Sequence, residues 1–423
     1  MVMKPSLLKP HQRVVITGLG VVAPNGIGRD AFWEALTEGR SGVDWIKGFD
    51  TSELYCKIGG EVRNFEASDY RPAKKASRSG RFSNFAVAAA QLAVADADLE
   101  TANVDPYMMG AVFGTTMAGL GNIGDDIYFH LFKQGIQGLD PLAPSEVSAH
   151  AATANVFIDL GMKGPNTTSG LGCVSTLDAV NTSMALLQAG RAKVMIAGAT
   201  EACLSSVGMG VLAAQKVLTK RNDPPQAACR PYDKTRDGLI LSEGSAAVVL
   251  ETAEHAMDRG APIYAEVLGY AATTEAHHLL LAKPDGEELA QAFRTALLQA
   301  KISTDEIDYI CAHGISNKQY DVAETNAVKQ VMGQRAYHVP MSSIKSMTGQ
   351  PFAAGGGWQM VAACMTMQTG IIAPTINYNE PDPDCDLDYV PNHARQARVE
   401  TVMLNSHSVG GTHACLLLRK FAA

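Results

Sequence analysis

Short apolar runs alternate with segments of helical periodicity along this 423-residue chain. The run RVVITG at 13–18 precedes the helical pattern DAFWEALTEG, and helical periodicity returns at 84–97, 174–190 and 287–300. Between these segments, KVMIAGA and SAAVVLE have the composition of buried strands. Because strands and helices that alternate in this way pack as layers, the pattern predicts an α/β fold.

The chain contains a weak internal echo. Residues 193–199 and 244–251 resemble residues 401–406 and 411–418, since each pair gives an apolar strand, a glycine and a second apolar strand. A chain built of two similar halves would explain this weak internal repeat. The repeat would also arise if the two segments were simply two buried hairpins, because buried hairpins have similar sequence patterns. A helix-like segment at 252–262 ends at Gly260 and Pro262 before a new strand. We therefore expect an N-terminal half over residues 1–258 and a C-terminal half over residues 259–423.

Charge and cysteine usage exclude several classes of function. The formal net charge of −8 argues against broad binding to nucleic acid or to anionic membranes, because both require extended positive surface. The eight cysteines are scattered without a CxxC pair, so neither a disulfide framework nor a zinc site is indicated. No apolar stretch reaches the roughly 18 residues of a membrane span. We expect a reducing, cytoplasmic environment and no signal peptide.

Cys173 lies in TTSGLGCVSTLDAV, between a glycine-rich turn and an apolar helix that starts near Ser175. At a helix N-terminus, unpaired backbone N–H groups and the positive end of the helix dipole stabilise a thiolate. The position therefore predicts a lowered pKa and a nucleophilic thiol. Taken alone, a buried structural cysteine is the commoner interpretation.

A second chemical segment is IDYICAHGISNKQYDVAETNAV. Its apolar strand YICA delivers His313 and Gly314 at its end, and Asp321 and Glu324 follow three residues apart on a predicted helix. Strand ends in α/β folds are where functional sites gather. A neutral imidazole at such an end can donate to an oxyanion or move a proton, or it can simply be bonded at the strand terminus.

Two further segments carry candidate site residues. In VPMSSIKSMTGQPFAAGGGWQM, Lys345 can hold a carboxylate such as that of Glu324, although most lysines face water. In MLNSHSVGGTHACLLL, Gly410 and Gly411 would let backbone amides approach a ligand closely, as they would also allow a tight turn.

Taken together and in this order, the four segments resemble the β-ketoacyl synthase family, in particular the elongating enzymes of fatty acid and type II polyketide synthesis. RVVITGLGVVAPNGIG near the start and RPYDKTRDGLILSEGSAAVVLE in the middle extend the resemblance over nearly the whole chain. The resemblance implies a thiolase-type, five-layered αβαβα fold of two similar halves and dimerisation with an identical or different subunit. It implies no cofactor and no metal.

The resemblance also implies roles for individual residues. Cys173 matches the cysteine that takes an acyl group from acyl carrier protein. His313 matches the first of two histidines that assist decarboxylation of malonyl carrier protein. Lys345 matches the family lysine, and Asp321 and Glu324 match the acidic pair that supports the site.

The oxyanion hole and its gate are implied in the same way. The backbone amides of Cys173 and Val409 match the oxyanion-hole donors. The family's gating phenylalanine corresponds to Val409 and the glycine before it to Ser408, with Gly410 following, so we expect a smaller and less flexible gate.

Other positions around the site also depart from the family pattern. Gln350 replaces the second histidine, and its amide donates a hydrogen bond but neither becomes cationic nor shuttles a proton. Related condensing enzymes use asparagine as the second donor. Ile315 and Asn317 stand where family threonines bind the phosphopantetheine arm, which removes one polar contact at Ile315.

These observations leave rival hypotheses. The leading one is a decarboxylating condensing enzyme that acts on carrier-protein thioesters in polyketide or unusual fatty acid synthesis. A non-decarboxylating acyltransferase is favoured by Gln350, while a chain-length-factor-like partner subunit is disfavoured by the retained Cys173. Gly18 and Gly20 in TGLG suggest a dinucleotide loop, but the required third glycine is missing.

The run RPAKKASRSGRF is the main local concentration of positive charge in this acidic chain. Its five basic residues offer a docking site for an acidic carrier protein, although a solvated loop is the commoner meaning of such a run.

Overall fold

The computed structural model describes Lys9 and residues 12–422, apart from the side chain of Asn122. The helices are α1 Arg29–Thr37, α2 Ala73–Ala76, α3 Arg81–Asp96, α4 Asn122–Gln134, α5 Ala143–Val147, α6 Ala151–Leu160, α7 Ser175–Gln188, α8 Ser206–Ala214, α9 Ala253–Asp258, α10 Glu287–Ala300, α11 Lys318–Met332, α12 Lys345–Thr348 and α13 Gly355–Thr369. The strands are β1 Val14–Ala23, β2 Gly26–Ile27, β3 Asp44–Trp45, β4 Ile58–Gly59, β5 Met109–Gly114, β6 Asn166–Ser169, β7 Val194–Glu201, β8 Gly244–Thr252, β9 Ala265–Thr274, β10 Tyr309–Cys311, β11 Met341–Ser342, β12 Ile371–Ile372, β13 Arg395–Gln396, β14 Thr401–His407 and β15 Thr412–Arg419.

One strand pattern occurs twice. In the N-terminal half, β5 lies parallel to β6 and β7, and β7, β8 and β1 follow as antiparallel neighbours. In the C-terminal half, β10 lies parallel to β11 and β14, and β14, β15 and β9 follow in the same antiparallel way. The two sets join where β1 pairs with β9. The expected two similar halves are confirmed, and the echoed sequence pairs are β7–β8 and β14–β15; the boundary at residue 258 stays a prediction.

The helices complete five layers. On β8, Val248 and Leu250 face a core shared with α7 and α13, whereas Val249 faces α3 and α6 on the other side. On β15, Leu416 faces the same central core and Leu417 faces α10 and α11. Because side chains alternate across a strand, these strands must be apolar on both faces, which is why they appear as continuous hydrophobic runs.

The predicted elements largely agree with the structure. Helix α10 has the predicted bounds, and α7 begins at Ser175. Strand β1 continues five residues beyond the predicted run, to Ala23, because its second part pairs with β8 and is fully buried. Among the residues that the structure describes, no helix is both long enough and apolar enough to cross a membrane.

The glycines of TGLG have a packing role. A Cβ atom at Gly18 would lie 2.1 Å from the carbonyl oxygen of Ala93, and one at Gly20 would lie 1.9 Å from that of Ala89. These contacts join β1 to the backbone of α3 at a distance that only glycine allows. The glycine pair is therefore explained by close packing of strand and helix, not by a dinucleotide.

We predict that Gly20→Ala lowers the free energy of unfolding by about 3 kcal/mol or prevents folding, because the added methyl overpacks a contact with backbone atoms. Gly210→Ala in α8 is the matched control, since its Cβ would meet no atom within 4 Å. Thermal and denaturant unfolding of both variants checks the prediction. Equal stability of the two variants would contradict it.

Candidate active site

Cys173 occupies a tight turn between β6 and α7. The turn is a short 3-10 helix over Gly172–Val174, and Ser175 Oγ closes it by donating to the Gly172 carbonyl at 2.7 Å. Gly172 has a φ of 62°, and a Cβ there would lie 2.1 Å from Ser408 Oγ. The glycine before the cysteine is therefore required both by the backbone and by the approach of Ser408.

Side chains from distant segments converge on Cys173, whose relative exposure is only 6%. The amide Nε2 of Gln350 lies 3.5 Å from the Cys173 sulfur. Ser406 Oγ donates to the Cys173 carbonyl at 2.8 Å, and the Cys173 amide donates to Ser408 Oγ at 3.1 Å. The structure thus brings the third and fourth sequence segments to the thiol.

The prediction of a lowered thiol pKa was wrong. Burial raises the pKa of Cys173 to about 12, against an opposing effect from the nearby charge of Lys345. Helix α7 begins two residues after the cysteine, so the helix terminus does not offset the loss of solvent. Cys173 therefore rests as a thiol.

His313 follows strand β10 and is buried. Burial, followed by the charge of Lys345, lowers its pKa well below the usual range, so the ring is neutral. Nδ1 lies 3.5 Å from Lys345 Nζ and 3.4 Å from Ser406 Oγ. With Nδ1 facing an ammonium group, the proton of the neutral ring is favoured on Nε2, where it can be donated to a ligand.

Glu324 fixes the backbone that carries His313. Its carboxylate accepts from the amides of His313 at 2.7 Å and Gly314 at 2.9 Å, and from the hydroxyl of Tyr232 at 2.7 Å. The supporting role that the family resemblance implied for this residue therefore has a structural basis in backbone positioning.

Asp321 fixes the backbone of the next residue in this loop, Ile315. It accepts from the amide of Ile315 at 3.0 Å and from that of Tyr232 at 3.0 Å, and it lies 3.2 Å from the Arg236 guanidinium. Burial raises its pKa to about 6, with Arg236 acting in the opposite direction. Tyr232 and Arg236 come from the middle motif RPYDKTRDG, whose role at the site the sequence alone does not predict.

Lys345 is buried at the start of α12. Its Nζ donates to the His313 carbonyl at 2.8 Å and to Gln359 Oε1 at 3.3 Å. The lysine forms no ion pair with Glu324 within the described residues, which corrects that interpretation. Burial lowers its pKa to about 8, with Glu324 acting in the opposite direction.

The remaining predicted residues differ in exposure and in what they contact. Val409 is 50% exposed in the loop between β14 and β15, and the Gly410 amide donates to the Leu279 carbonyl. Ile315 is buried in the same apolar cluster as Cys173. Asn317 caps α11, because its Oδ1 accepts from two amides of the first turn, so its substrate-binding role stays a prediction.

One of the two expected oxyanion-hole amides is already engaged. The Cys173 amide bonds to the hydroxyl of Ser408, the residue that stands at the family's glycine. An acyl oxygen can use this amide only after the hydroxyl moves, so the oxyanion hole stays a prediction.

Sequence reasoning missed two buried histidines next to the site. The His407 ring stacks on His313 with ring centres 5.0 Å apart, and it meets His413 in an edge-to-face arrangement at 5.1 Å. His413 Nε2 lies 3.0 Å from Glu275 Oε1. A signal was present, since His407 and His413 stand three residues before and after Gly410, where a hairpin turn places them opposite each other.

Comparisons with known proteins cover nearly the whole chain. Residues 11–256 match the family described as beta-ketoacyl synthase, N-terminal domain, and residues 264–379 match beta-ketoacyl synthase, C-terminal domain. The 3-oxoacyl-[acyl-carrier-protein] synthase 2 of Synechocystis sp. is 39% identical over 97% of this chain and 98% of its own. The tetracenomycin polyketide synthase ketoacyl synthase alpha subunit of Streptomyces glaucescens is 40% identical, with 97% of each chain covered.

Solved structures agree with these matches. A beta-ketoacyl synthase from Burkholderia phymatum superposes with a TM-score of 0.90 at 32% identity, covering 97% of this chain and 100% of that one. A ketosynthase solved in complex with its type II polyketide acyl-carrier protein and bound to the hexaketide gives a TM-score of 0.89 at 33% identity, covering 97% and 99%.

We predict that alkylation of Cys173 by iodoacetamide is slow at pH 7 and accelerates about tenfold per pH unit up to at least pH 10. The thiolate is the reactive form, and a raised pKa leaves it a minor species throughout this range. Peptide mass mapping measures the rate, with circular dichroism verifying the fold at each pH. Cys173→Ala gives the background from the other seven buried cysteines, and a plateau below pH 8 would refute the raised pKa.

Proposed function

The chain belongs to the β-ketoacyl synthase family and is a condensing acyltransferase, and on that basis we propose that Cys173 carries the acyl group during decarboxylative condensation with malonyl carrier protein. The observation that carries the proposal is the convergence on Cys173 of Gln350, 3.5 Å from the sulfur, and of Ser406, which donates to the Cys173 carbonyl and lies 3.4 Å from His313 Nδ1. The pathway is polyketide or fatty acid synthesis, with acyl carrier protein as the partner.

The first half-reaction loads the enzyme. Cys173 Sγ attacks the carbonyl carbon of the carrier-bound acyl thioester and forms a new C–S bond, and the bond to the carrier sulfur breaks. The thiol proton leaves with the carrier thiol. Because Cys173 rests as a buried thiol, its deprotonation belongs to this step and not to the free enzyme.

The second half-reaction forms the carbon–carbon bond. Loss of carbon dioxide from the malonyl group leaves an electron pair that passes to the thioester oxygen as an enolate. His313 Nε2 and Gln350 Nε2 are the side-chain donors proposed to stabilise that oxygen. The enolate carbon then attacks the acyl group on Cys173, and the C–S bond to the enzyme breaks.

A non-decarboxylating acyltransferase is the second candidate. Gln350 favours it, because a neutral amide stabilises an enolate less than an imidazolium would. The occupied Cys173 amide favours neither candidate, since both need the same oxyanion hole. A partner subunit without chemistry of its own remains disfavoured by the retained cysteine.

Exposed surface supports assembly with a second subunit, identical or ketosynthase-like. Strand β6 lies at the end of the sheet, and helix α4 exposes large apolar side chains at Tyr128, Phe129 and Phe132. A ketosynthase/chain length factor of 31% identity superposes with a TM-score of 0.89. The proposal includes a reducing, cytoplasmic location. Its support is that all eight cysteines are free thiols.

The direct test follows both half-reactions in one tube. The purified protein is incubated with acyl and malonyl carrier proteins, while intact mass reports acylation of Cys173 and trapped carbon dioxide reports decarboxylation. We expect both signals and an extended product, all absent from Cys173→Ala. Acylation without carbon dioxide would establish the acyltransferase instead, and no acylation with any chain length would reject the nucleophile.

We predict that Gln350→Leu slows carbon dioxide release roughly a hundredfold, because one enolate donor is lost. Acylation of Cys173 should change less than threefold. Gln350→Asn is the matched control, since it keeps the amide but withdraws it by one methylene, and we expect an intermediate rate. An equal loss in both half-reactions for Gln350→Leu would assign Gln350 to packing alone.

The basic run contributes less free charge than its sequence suggests. Arg71 and Lys75 pair with Asp159 at 2.7 Å and 2.6 Å, and Arg81 pairs with Glu243 at 2.7 Å. Lys74 and Arg78 are exposed and form no salt bridge with the described residues. They are the part of the run that remains available to an acidic carrier protein.

We predict that the double variant Lys74→Glu/Arg78→Glu raises KM about tenfold for carrier-linked acyl groups and leaves KM for a small acyl thioester unchanged, because only the carrier presents opposing charge. Lys163→Glu/Lys193→Glu, at two exposed loop positions outside the run, is the charge-matched control. Initial rates at two salt concentrations provide the measurement. Equal effects on both substrates would rule out docking at this run.

A further inference from the structure

Each turn of the proposed condensation consumes one proton. In acylation the cysteine proton leaves with the carrier thiol, so that step is balanced. In condensation the malonyl carboxylate leaves as carbon dioxide, its electron pair forms the new carbon–carbon bond, and Cys173 Sγ departs with the electrons of its broken bond. A sulfur whose pKa is raised to about 12 must then regain a proton at neutral pH. That proton has to reach a site where Cys173 is 6% exposed and His313 2%.

Three imidazoles and a carboxylate form a series that starts at the site. The His313 and His407 rings are stacked with an interplanar angle of 5° and ring centres 5.0 Å apart. The His407 and His413 rings meet at 84° with centres 5.1 Å apart, and His413 Nε2 lies 3.0 Å from Glu275 Oε1. Every member is buried.

The nitrogens of this series are unusual for a protein core. Both nitrogens of His407, Nδ1 of His413 and Nε2 of His313 have no hydrogen-bond partner in the described part of the protein. A buried polar group without a partner costs about 1–3 kcal/mol. A phenylalanine would fill the place of His407 without that cost. The imidazoles are therefore better explained by exchange of protons than by packing.

The hairpin between β14 and β15 holds the outer end of the series. His407 and His413 are directly opposite each other in its register. The Glu275 amide donates to the Gly411 carbonyl at 2.8 Å, and a Cβ at Gly411 would lie 2.8 Å from Glu275 Cβ. Residues 276–281, which follow Glu275, are all exposed. The series thus extends from the catalytic histidine to the edge of a solvent-facing loop.

We propose that Glu275, His413 and His407 form a proton relay that resupplies His313, and through it Cys173, with the proton that each condensation consumes. The inference rests on the proposed function. Glu275 stabilises the imidazolium when His413 takes a proton from the solvent side. Transfer between rings at these separations uses a bridging water or a small ring rotation. His313 gives its proton to the cysteine sulfur and regains one from His407.

The other groups next to these histidines do not provide a path for a proton from solvent to His313. Gln350 carries no titratable proton. Lys345 lies 3.5 Å from His313 Nδ1, but its other contacts are the His313 carbonyl and the Gln359 amide oxygen, both buried. Tyr320 has its ring centre 6.3 Å from that of His407, and its hydroxyl donates to the Leu280 carbonyl. Its pKa is raised, chiefly by burial, so it stays protonated.

The test separates the two half-reactions in single turnovers. In His407→Phe, which keeps an aromatic ring against His313, we expect acylation of Cys173 to stay within twofold of the wild type. Release of product from the preloaded acyl-enzyme should fall roughly tenfold or more. Glu275→Gln, which keeps the shape of its side chain, should give a smaller loss in the same step. In His407→Ala, added imidazole should restore condensation and leave acylation unchanged.

His255→Phe is the matched control, because His255 also pairs with a buried carboxylate, Glu251, at 2.5 Å but lies on α9. It should leave both half-reactions unchanged, and thermal midpoints verify the fold of each variant. Normal condensation in His407→Phe, equal loss in both half-reactions, or failure of imidazole to rescue His407→Ala would each overturn the relay alone. A wild type that acylates Cys173 but releases no carbon dioxide would overturn the proposed function and the relay together.

Discussion

The structure depends on one requirement, that both faces of both halves of the sheet be covered. Strands such as β8 and β15 are apolar on each face, so helices must pack on both sides. Helices α7 and α13 cover both halves of the sheet at once because they form the layer between them. The start of α7 and the approach to α13 then lie at the same end of that layer, which is how Cys173 and Gln350 come into contact.

The chemistry of the site follows from the same burial. With solvent excluded, the Cys173 thiol and the His313 imidazole are both held neutral. The carboxylates of Asp321 and Glu324 accept hydrogen bonds from backbone amides and so position the loop that carries His313. Charge on the sulfur and on the reacting oxygen therefore develops only during turnover, when fixed dipoles stabilise it most.

Sequence reasoning succeeded where local pattern decides the outcome and failed where packing does. The bounds of α10 and the start of α7 follow from helical periodicity. The raised pKa of the Cys173 thiol could not be predicted from the local sequence, because burial of Cys173 depends on segments more than a hundred residues away. The sequence also could not predict that Lys75 pairs with Asp159, because that ion pair depends on tertiary contacts. Nor could it predict that His407 lies opposite His413, because that depends on strand register.

The hydroxyl of Ser408 occupies a backbone donor that the proposed mechanism assigns to the substrate. It satisfies the Cys173 amide at 3.1 Å, so this donor does not polarise a passing carbonyl group. In the proposed mechanism, an incoming thioester first displaces this hydroxyl from the amide, and contacts remote from the reacting carbon would supply the energy. On that mechanism, an acyl group with a long chain or an attached carrier has more such contacts to draw on than a small thioester, so selectivity would begin before any bond is made.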